Sequence, residues 1–180
     1  MTTKVFIAGS MNIKHLDPKV KERIDNIVAS EFEVVVGDAD GADTSVQWHL
    51  FNLGKSKATV FCSGPSARNN VGEWPVQSVE TKHAEGSRAF FTAKDLRMAE
   101  VADFGLMIWD TKSTGTLSNV IELLVRKKKS VVFVNKAKAF KNVLKPKHFP
   151  LVIPAKAGTH CDVAETNTAW IPTVAAMTII

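Results

Sequence analysis

Cysteine, clustered histidine and long apolar runs are scarce in this sequence, and each scarcity excludes a class of protein. The two cysteines, Cys62 and Cys161, stand alone, which excludes a disulfide framework and a CxxC metal site. The five histidines lack the spacing of metal ligands, so we expect no metal site. The longest apolar run, residues 104–109, is far shorter than the roughly 18 residues that cross a bilayer, and no signal-peptide pattern is present. We therefore expect a cytoplasmic protein with no membrane partner.

Several common functional fingerprints are missing as well. There is no GxxxxGK[ST] phosphate loop, no GxGxxG after the first predicted strand and no GxSxG elbow of a serine hydrolase. The acidic residues 38–43 have the spacing of a calcium loop, but the twelfth position holds His49 in place of a bidentate glutamate. We therefore reject calcium binding and the best-known nucleotide and hydrolase motifs.

The balance of residue types is that of a folded protein, with 45% hydrophobic and 23% charged residues. The net charge of +5 is unevenly distributed, because residues 123–161 hold ten Lys or Arg and no acid. Such a cluster can attract phosphate or nucleic acid, but it is also typical of a solvated helix end followed by an exposed surface. The ten residues are Arg126, Lys127, Lys128, Lys129, Lys136, Lys138, Lys141, Lys145, Lys147 and Lys156.

Short apolar segments alternate with helical patterns along the chain. Strands are predicted at residues 4–8, 32–36, 58–61, 104–109 and 130–134. This alternation predicts an α/β fold: a doubly wound, mostly parallel five-stranded sheet with helices on both faces, Rossmann-like. We assign residues 1–150 to this domain and residues 151–180 to a poorly patterned C-terminal tail.

The helices have recognisable starts and apolar faces. Asp17 is predicted to cap the first helix, with Pro18 at its first position, and Asp43 to cap the second. Residues 63–91 are predicted to be a partly structured loop, and residues 92–102 a third helix. The fourth helix is predicted to bury Leu117, Val120, Ile121, Leu124 and Val125.

Small and hydrogen-bonding residues follow three of the predicted strands. They are Gly9 with Ser10, the acidic loop at residues 37–43, and residues 110–116. Because parallel strands end at one edge of the sheet, all three loops face the same ligand-binding side. In the third loop, Ser113 and the residues after it either form a phosphate cradle at a helix N-terminus or merely supply Thr114 or Thr116 as a cap. The acidic loop is suited to a turn and to holding ribose hydroxyls.

These strand-end motifs resemble a known superfamily. Residues 34–43, VVVGDADGAD, look like the strand-plus-Gly-Ala-Asp motif of YspA-like proteins, which belong to the SMF/DprA–LOG superfamily of Rossmann-like nucleotide-binding domains. Residues 94–98 and 102–103 resemble the helix before the fourth strand of that superfamily. Residues 113–117 match its glycine-threonine loop, and residues 128–132 the entry to its last strand. The resemblance spans roughly residues 3–136.

The resemblance implies that the chain binds a nucleotide or a related phosphorylated, ribose-bearing ligand at these three loops, as a sensor or binding domain. No further cofactor is expected, and since relatives often pair through their helices, a homodimer is implied. The residues expected to bind the ligand are Gly9, Ser10, Gly37, Asp38, Gly41, Asp43, Lys94, Lys112, Ser113, Thr114, Gly115 and Thr116.

An enzymatic alternative stays open. The LOG relatives hydrolyse the N-glycosidic bond of nucleoside monophosphates with an Arg in the helix before strand four and a Glu just after the Gly-Thr. Here the matching positions hold Lys94, and Ser118 or Asn119, so the carboxylate that such chemistry requires is displaced. Lys94 with Asp38, Asp40 or Glu122 are the catalytic candidates, and Glu73 and Glu85 are further carboxylates.

A third hypothesis is a single-stranded DNA-binding module, as in the DprA relatives. Residues 126–147 would then act as a basic face that binds the phosphate backbone. Aromatic platforms for bases are sparse there, with Phe133, Phe140 and Phe149 nearby. This hypothesis predicts binding that weakens steeply as the salt concentration rises.

Overall fold

Strands and helices alternate along residues 2–54 and 56–143, the part of the chain that a computed structural model describes. The strands are β1 (Lys4–Gly9), β2 (Glu33–Gly37), β3 (Ala58–Ser63), β4 (Val76–Val79), β5 (Phe104–Trp109), β6 (Lys129–Val134) and β7 (Ala139–Val143). The helices are α1 (Pro18–Ala29), α2 (Ala42–Leu53), α3 (Arg88–Val101) and α4 (Thr114–Val125). The strands form one sheet in the order β4-β3-β2-β1-β5-β6-β7, parallel throughout except for β7, which is antiparallel to β6.

Strand order reverses beside β1, at the centre of the sheet. From β1 the chain builds outward through β2 and β3 to β4, and then returns across the sheet to place β5 on the other side of β1. Val5 pairs with Phe104 and Gly9 with Ile108 in this central pair. In doubly wound sheets a crevice opens at such a switch point, beyond the carboxyl ends of the strands.

The hydrophobic core has one layer on each face of the sheet. Alternate strand residues point to opposite faces: Ile7 and Val36 pack with the buried side of α1 and α2, whereas Phe6 and Val35 pack with α3 and α4. This arrangement confirms the predicted α/β doubly wound class.

The strand count differs from prediction, since the described residues contain seven strands and not five. The additional strands β4 and β7 lie at the two edges of the sheet. Val76 is 46% exposed, and Val143 is the one fully buried residue of β7, so neither strand has the buried apolar run that predicts a central strand. The loop predicted at residues 63–91 contains β4 and also the first turn of α3, which begins at Arg88.

One predicted helix cap is confirmed and one is wrong. Asp17 caps α1, its carboxylate accepting a hydrogen bond from the Lys19 N–H at 3.0 Å, with Pro18 next. The N-cap of α2 is Gly41 and not Asp43. Gly41 has φ +84°, a conformation that glycine adopts without strain, and a Cβ there would collide with the carbonyl oxygen of Met11.

The buried face of α4 is rotated from the predicted one. Val120 and Leu123 are buried, but Ile121 is 48% and Val125 72% exposed. Two polar residues, Thr116 and Asn119, share the buried face. Because these two residues are polar, a search for regularly spaced apolar residues does not identify the face of α4 that is buried.

The predicted domain end at residue 150 and the predicted tail at residues 151–180 lie outside the described residues, as does Cys161. Among the helices that are described, none is both long and apolar enough to cross a membrane.

Candidate functional site

The first and third predicted strand-end loops meet at the switch point. Ser10 is fully buried just after β1. Its hydroxyl lies 3.3 Å from the Thr116 hydroxyl of α4 and accepts a hydrogen bond from the Asp110 N–H at 3.1 Å. Its backbone N–H donates to the carbonyl oxygen of Ile108 at 2.9 Å. The end of β1 is thereby joined to the loop that precedes α4.

The loop between β5 and α4 is held rigidly. The Asp110 carboxylate accepts hydrogen bonds from the backbone N–H groups of Lys112 at 2.9 Å and Ser113 at 2.7 Å, and the Trp109 indole donates to the Ser113 carbonyl at 2.9 Å. Burial alone would raise the pKa of Asp110, but these N–H groups outweigh it and lower the pKa. Thr111 has φ +72°, a strained conformation for a β-branched residue. The loop is therefore preorganised around its own carboxylate.

The N-terminus of α4 is open to an anion. Ser113 is its N-cap, yet its side chain makes no capping hydrogen bond and instead accepts from the Thr116 hydroxyl at 3.2 Å. The alternative prediction, that Thr114 or Thr116 is the cap, is therefore wrong. A Cβ added at Gly115 would meet nothing within 4 Å, so the backbone there is accessible. The first N–H groups of a helix lack intrahelical partners and carry partial positive charge.

Cationic side chains stand beside this helix end. Arg88, exposed at the start of α3, donates to the Thr114 hydroxyl at 2.9 Å, and Lys112 is exposed in the preceding loop. Arg88 was not predicted from the sequence, because it belongs to a segment without a regular pattern. The helix end, three hydroxyls and two cations form what we call the α4 cradle: Ser10, Arg88, Lys112, Ser113, Gly115 and Thr116.

The second predicted loop forms a buried charge cluster over the end of β2. Lys94 of α3 is 3% exposed, with its ammonium 2.8 Å from Asp95 and 3.9 Å from both Asp38 and Asp43. Gly37 lies directly beneath, and a Cβ there would overlap the Asp43 carboxylate and lie 2.6 Å from the Lys94 nitrogen. Glycine at this position therefore makes room for the cluster.

Arg68, from the loop after β3, completes the cluster and was not predicted. Its guanidinium makes a bidentate contact to Asp38 at 2.9 and 2.8 Å and lies 4.6 Å from the centre of the Phe91 ring. Asp38 is 1% exposed, and Lys94 is surrounded by carboxylates. The structure thus places these two predicted ligand contacts in a buried network of ion pairs with Arg68 and Asp95.

The other carboxylate candidates are scattered. Asp40 is exposed and accepts from the Asn69 amide at 3.1 Å, whereas Glu122 pairs with Arg126 at 2.8 Å. Glu73 and Glu85 are exposed on the long loop. Within residues 2–54 and 56–143, no group of three or more His, Cys, Asp or Glu side chains is arranged to hold a metal ion.

Asp43 is the unusual acid of the charge cluster. It is 5% exposed, and its Oδ1 atom has no hydrogen-bond partner. Burial raises its pKa from the ordinary 3.8 to about 7, although the nearby Lys94 acts in the opposite direction. Burial by itself would lower the pKa of Lys94, but Asp95 and Asp43 outweigh it, so its pKa is raised and it stays charged.

We predict that Asp43 makes folding pH-dependent. Its folded pKa lies above its unfolded value, so the unfolded chain loses this proton first and the free energy of unfolding falls as pH rises from about 4 to about 7. In Asp43→Asn this fall is expected to disappear. Urea unfolding of both chains across this pH range checks the prediction, with Asp40→Asn as the exposed control. Parallel pH profiles for Asp43→Asn and the unchanged chain would contradict it.

Comparison with known proteins gives a structural likeness alone. No family model and no curated protein sequence matches the chain. A solved structure of DNA processing protein A from Helicobacter pylori, described for its single-stranded DNA binding mode, matches with a TM-score of 0.54 and 20% identity, over 72% of this chain and 64% of that one. The DNA processing protein A (DprA) of Streptococcus pneumoniae matches with a TM-score of 0.53 and 17% identity, over 73% of this chain and 50% of that one.

This chain has a DprA-like fold. That finding is consistent with the predicted SMF/DprA–LOG superfamily at the level of the fold, and both the superfamily and the YspA-like subtype stay predictions. The chain spans about two thirds of one DprA protein and half of the other. At these identities the likeness concerns the fold.

Proposed function

We propose that this chain binds single-stranded DNA and that the α4 cradle holds one phosphate of the strand. The observation that carries the proposal is the uncapped N-terminus of α4 with the accessible backbone at Gly115. Helix N-termini of this kind bind phosphate through backbone N–H groups and the helix dipole. Arg88 and Lys112 add positive charge, and the hydroxyls of Ser113 and Thr116 add hydrogen-bonding groups.

A polymer suits the cradle because its cationic and backbone groups face solvent. Lys112, Thr114 and Gly115 are exposed, so a strand can continue past the bound phosphate on either side. Lys136, exposed in the turn after β6, lies at the same carboxyl edge of the sheet and extends the positive surface. The DprA-like fold supports the same choice, since one DprA protein is described for its single-stranded DNA binding mode.

The basic stretch proposed from the sequence does not form one face within the described residues. Arg126 and Lys127 follow the C-terminus of α4, and Lys129 begins β6, at the amino edge of the sheet. Lys136 and Lys138 lie at the opposite edge, because β6 runs between the two groups. The DNA-binding proposal therefore rests on the carboxyl edge and its cradle.

A free nucleotide is the second candidate ligand, because the cradle would accept its phosphate in the same way. The ion pairs of two carboxylate candidates do not favour the glycosidic hydrolase. Asp38 is engaged by Arg68 and Glu122 by Arg126, so neither carboxylate is free to act on a sugar.

Fluorescence anisotropy with a labelled oligodeoxythymidylate tests the proposal. We expect binding that weakens linearly on a log–log plot as salt is raised, because phosphate contacts release counterions. Unlabelled oligonucleotide should compete far better than thymidine monophosphate. Equal competition by the mononucleotide would favour the free-nucleotide candidate, and no binding of the oligonucleotide at low salt would contradict the proposal.

We predict that Gly115→Leu weakens oligonucleotide binding by about tenfold or more, since the new side chain covers the N–H groups that hold the phosphate. The fold should be preserved or slightly stabilised, because nothing lies within 4 Å of a Cβ there and leucine favours helix by about 0.5–1 kcal/mol over glycine. Ser118→Leu, one turn later on the same helix and also exposed, is the matched control. If both variants bind DNA equally well, the phosphate does not lie at this helix end.

A further inference from the structure

The two sides of the α4 cradle differ in charge along the carboxyl edge of the sheet. On one side, the loops after β2 and β4 expose three acids and one lysine, namely Asp40, Glu80, Glu85 and Lys82. Arg68, in the loop after β3, is paired with Asp38. On the other side, the exposed charged residues in the loops after β5 and β6 are all lysines: Lys112, Lys136 and Lys138.

The two acids on the lysine side are already engaged. Asp110 accepts hydrogen bonds from backbone N–H groups of its own loop, and the carboxylate of Asp17 lies 3.3 Å from the Lys138 ammonium. Lys112 and Lys136 form no ion pair with any residue that the structure describes. A chain of phosphates that leaves the cradle is therefore repelled on the side of the acidic loops and attracted on the side of the lysines.

The β6–β7 turn, residues 135–138, is fixed to the cradle. Its first residue follows β6, which runs parallel to β5 at a distance of about 4.8 Å. The Asn135 N–H donates to the Trp109 carbonyl at 2.8 Å, and the Trp109 indole in turn holds Ser113 of the cradle. Lys136 is therefore carried on a turn that cannot move independently of the phosphate site.

The start of α1 lies against the far end of the same turn. The Lys19 ammonium donates to the Lys138 carbonyl at 3.0 Å, and the side chain remains exposed. An ammonium has three N–H donors, so this bond leaves Lys19 able to bind an anion as well. Lys112, Lys136 and Lys19 thus follow one another across the edge, away from the acidic loops.

We propose that a single strand bound at the α4 cradle continues across the β6–β7 turn, where Lys136 and then Lys19 bind its following phosphates. We call these two lysines the edge track. The inference rests on the proposed function of the cradle, and it adds the direction that the strand takes and the contacts beyond the first phosphate. Lysine suits this role, because a compact charge on a flexible stem can follow a mobile phosphate backbone.

Lys136→Ala tests the edge track in fluorescence anisotropy with a labelled oligodeoxythymidylate. We expect binding to weaken by about three- to tenfold at low salt, and the slope of the log–log salt plot to become shallower by about 0.7, the value for one lost phosphate contact on a single strand. Lys136→Arg should bind as the unchanged chain does, because the charge is kept. If Lys136→Ala keeps both the affinity and the slope, the strand does not contact this turn.

Lys82→Ala is the matched control for the direction of the strand. Lys82 is also exposed in a loop at the carboxyl edge, but it lies on the acidic side of the cradle. We expect this variant, and Asp40→Asn beside it, to change the affinity by less than about twofold. A larger loss in Lys82→Ala than in Lys136→Ala, or a clear gain in Asp40→Asn, would overturn the proposed direction and place the strand over the acidic loops.

The length of the oligonucleotide separates the two lysines of the edge track. With oligomers from about 4 to about 16 nucleotides, the loss in Lys136→Ala should appear at a shorter length than the loss in Lys19→Ala. Neither variant should alter competition by thymidine monophosphate, which reaches the cradle alone. If the order of the two losses is reversed, the path is wrong. If Gly115→Leu weakens binding while both lysine variants bind normally, the cradle stands and the edge track fails. If the unchanged chain binds no oligonucleotide, the proposed function fails and the edge track with it.

Discussion

Replacing Lys94 by methionine is expected to lower the free energy of unfolding by about 3–5 kcal/mol, the usual cost of removing one partner from a buried ion network. Methionine has a similar length and leaves little empty space, so the loss is electrostatic. Without the ammonium, the carboxylates of Asp38, Asp43 and Asp95 share the buried space over Gly37 with Arg68 as the remaining nearby cation.

The pH profile of this variant separates charge from packing. The loss in Lys94→Met should grow as pH rises, because acid protonates the carboxylates and relieves their repulsion. Lys112→Met is the matched control, because Lys112 is exposed, and a surface change of this type is expected to stay within about 0.5 kcal/mol. Urea unfolding at several pH values measures both effects. A loss that does not vary with pH would argue that Lys94 acts through packing and not through its charge.

Gly41→Ala is expected to lower the free energy of unfolding by about 3 kcal/mol or more, from two costs that add. The backbone of Gly41 has φ +84°, which alanine adopts only with strain, and the new Cβ would collide with the carbonyl oxygen of Met11. Relief of the collision must move the segment next to Ser10, whose carbonyl accepts from the Ala42 N–H at 3.3 Å. We therefore expect weaker oligonucleotide binding as well.

Gly54→Ala is the control that separates the cost of backbone strain from the cost of the collision with Met11. Gly54 ends α2 with φ +72°, and a Cβ there meets nothing within 4 Å. Its loss should therefore be limited to the backbone cost of about 1 kcal/mol. Thermal and urea unfolding of the two variants measures the difference. If Gly41→Ala and Gly54→Ala lower the free energy of unfolding equally, the collision with Met11 contributes nothing to the loss.

Local patterns were sufficient to predict the centre of the sheet. The β5 strand was predicted with its observed bounds, because a strand buried on both faces is a continuous apolar run and needs no knowledge of its neighbours. Asp17 was recognised as a cap because its partner, the Lys19 N–H, is two residues away. The edge strands β4 and β7 were missed. Each pairs with one neighbouring strand and is partly exposed, so its sequence need not contain a continuous apolar run.

In the candidate site, too, some features were predicted from neighbouring residues and others were left undecided by the sequence. Ser113, Gly115 and Thr116 were predicted from adjacent residues at the start of a helix. Their connection to Ser10 also followed, since parallel strands share one carboxyl edge. Whether the helix end was capped by a side chain or open to a ligand stayed undecided, because that depends on which way the Ser113 and Thr116 hydroxyls turn.

The sequence by itself determined the doubly wound class, the position of the central strands and the three loops at one edge, because each follows from residues close together in the chain. Only the tertiary structure decided which charges meet. It placed Arg68 against Asp38 across a separation of thirty residues and buried Lys94 among carboxylates. It also divided one run of basic residues between two edges of the sheet. Side-chain ion pairs between distant segments leave no periodic signal, so their partners become visible only once the chain is folded.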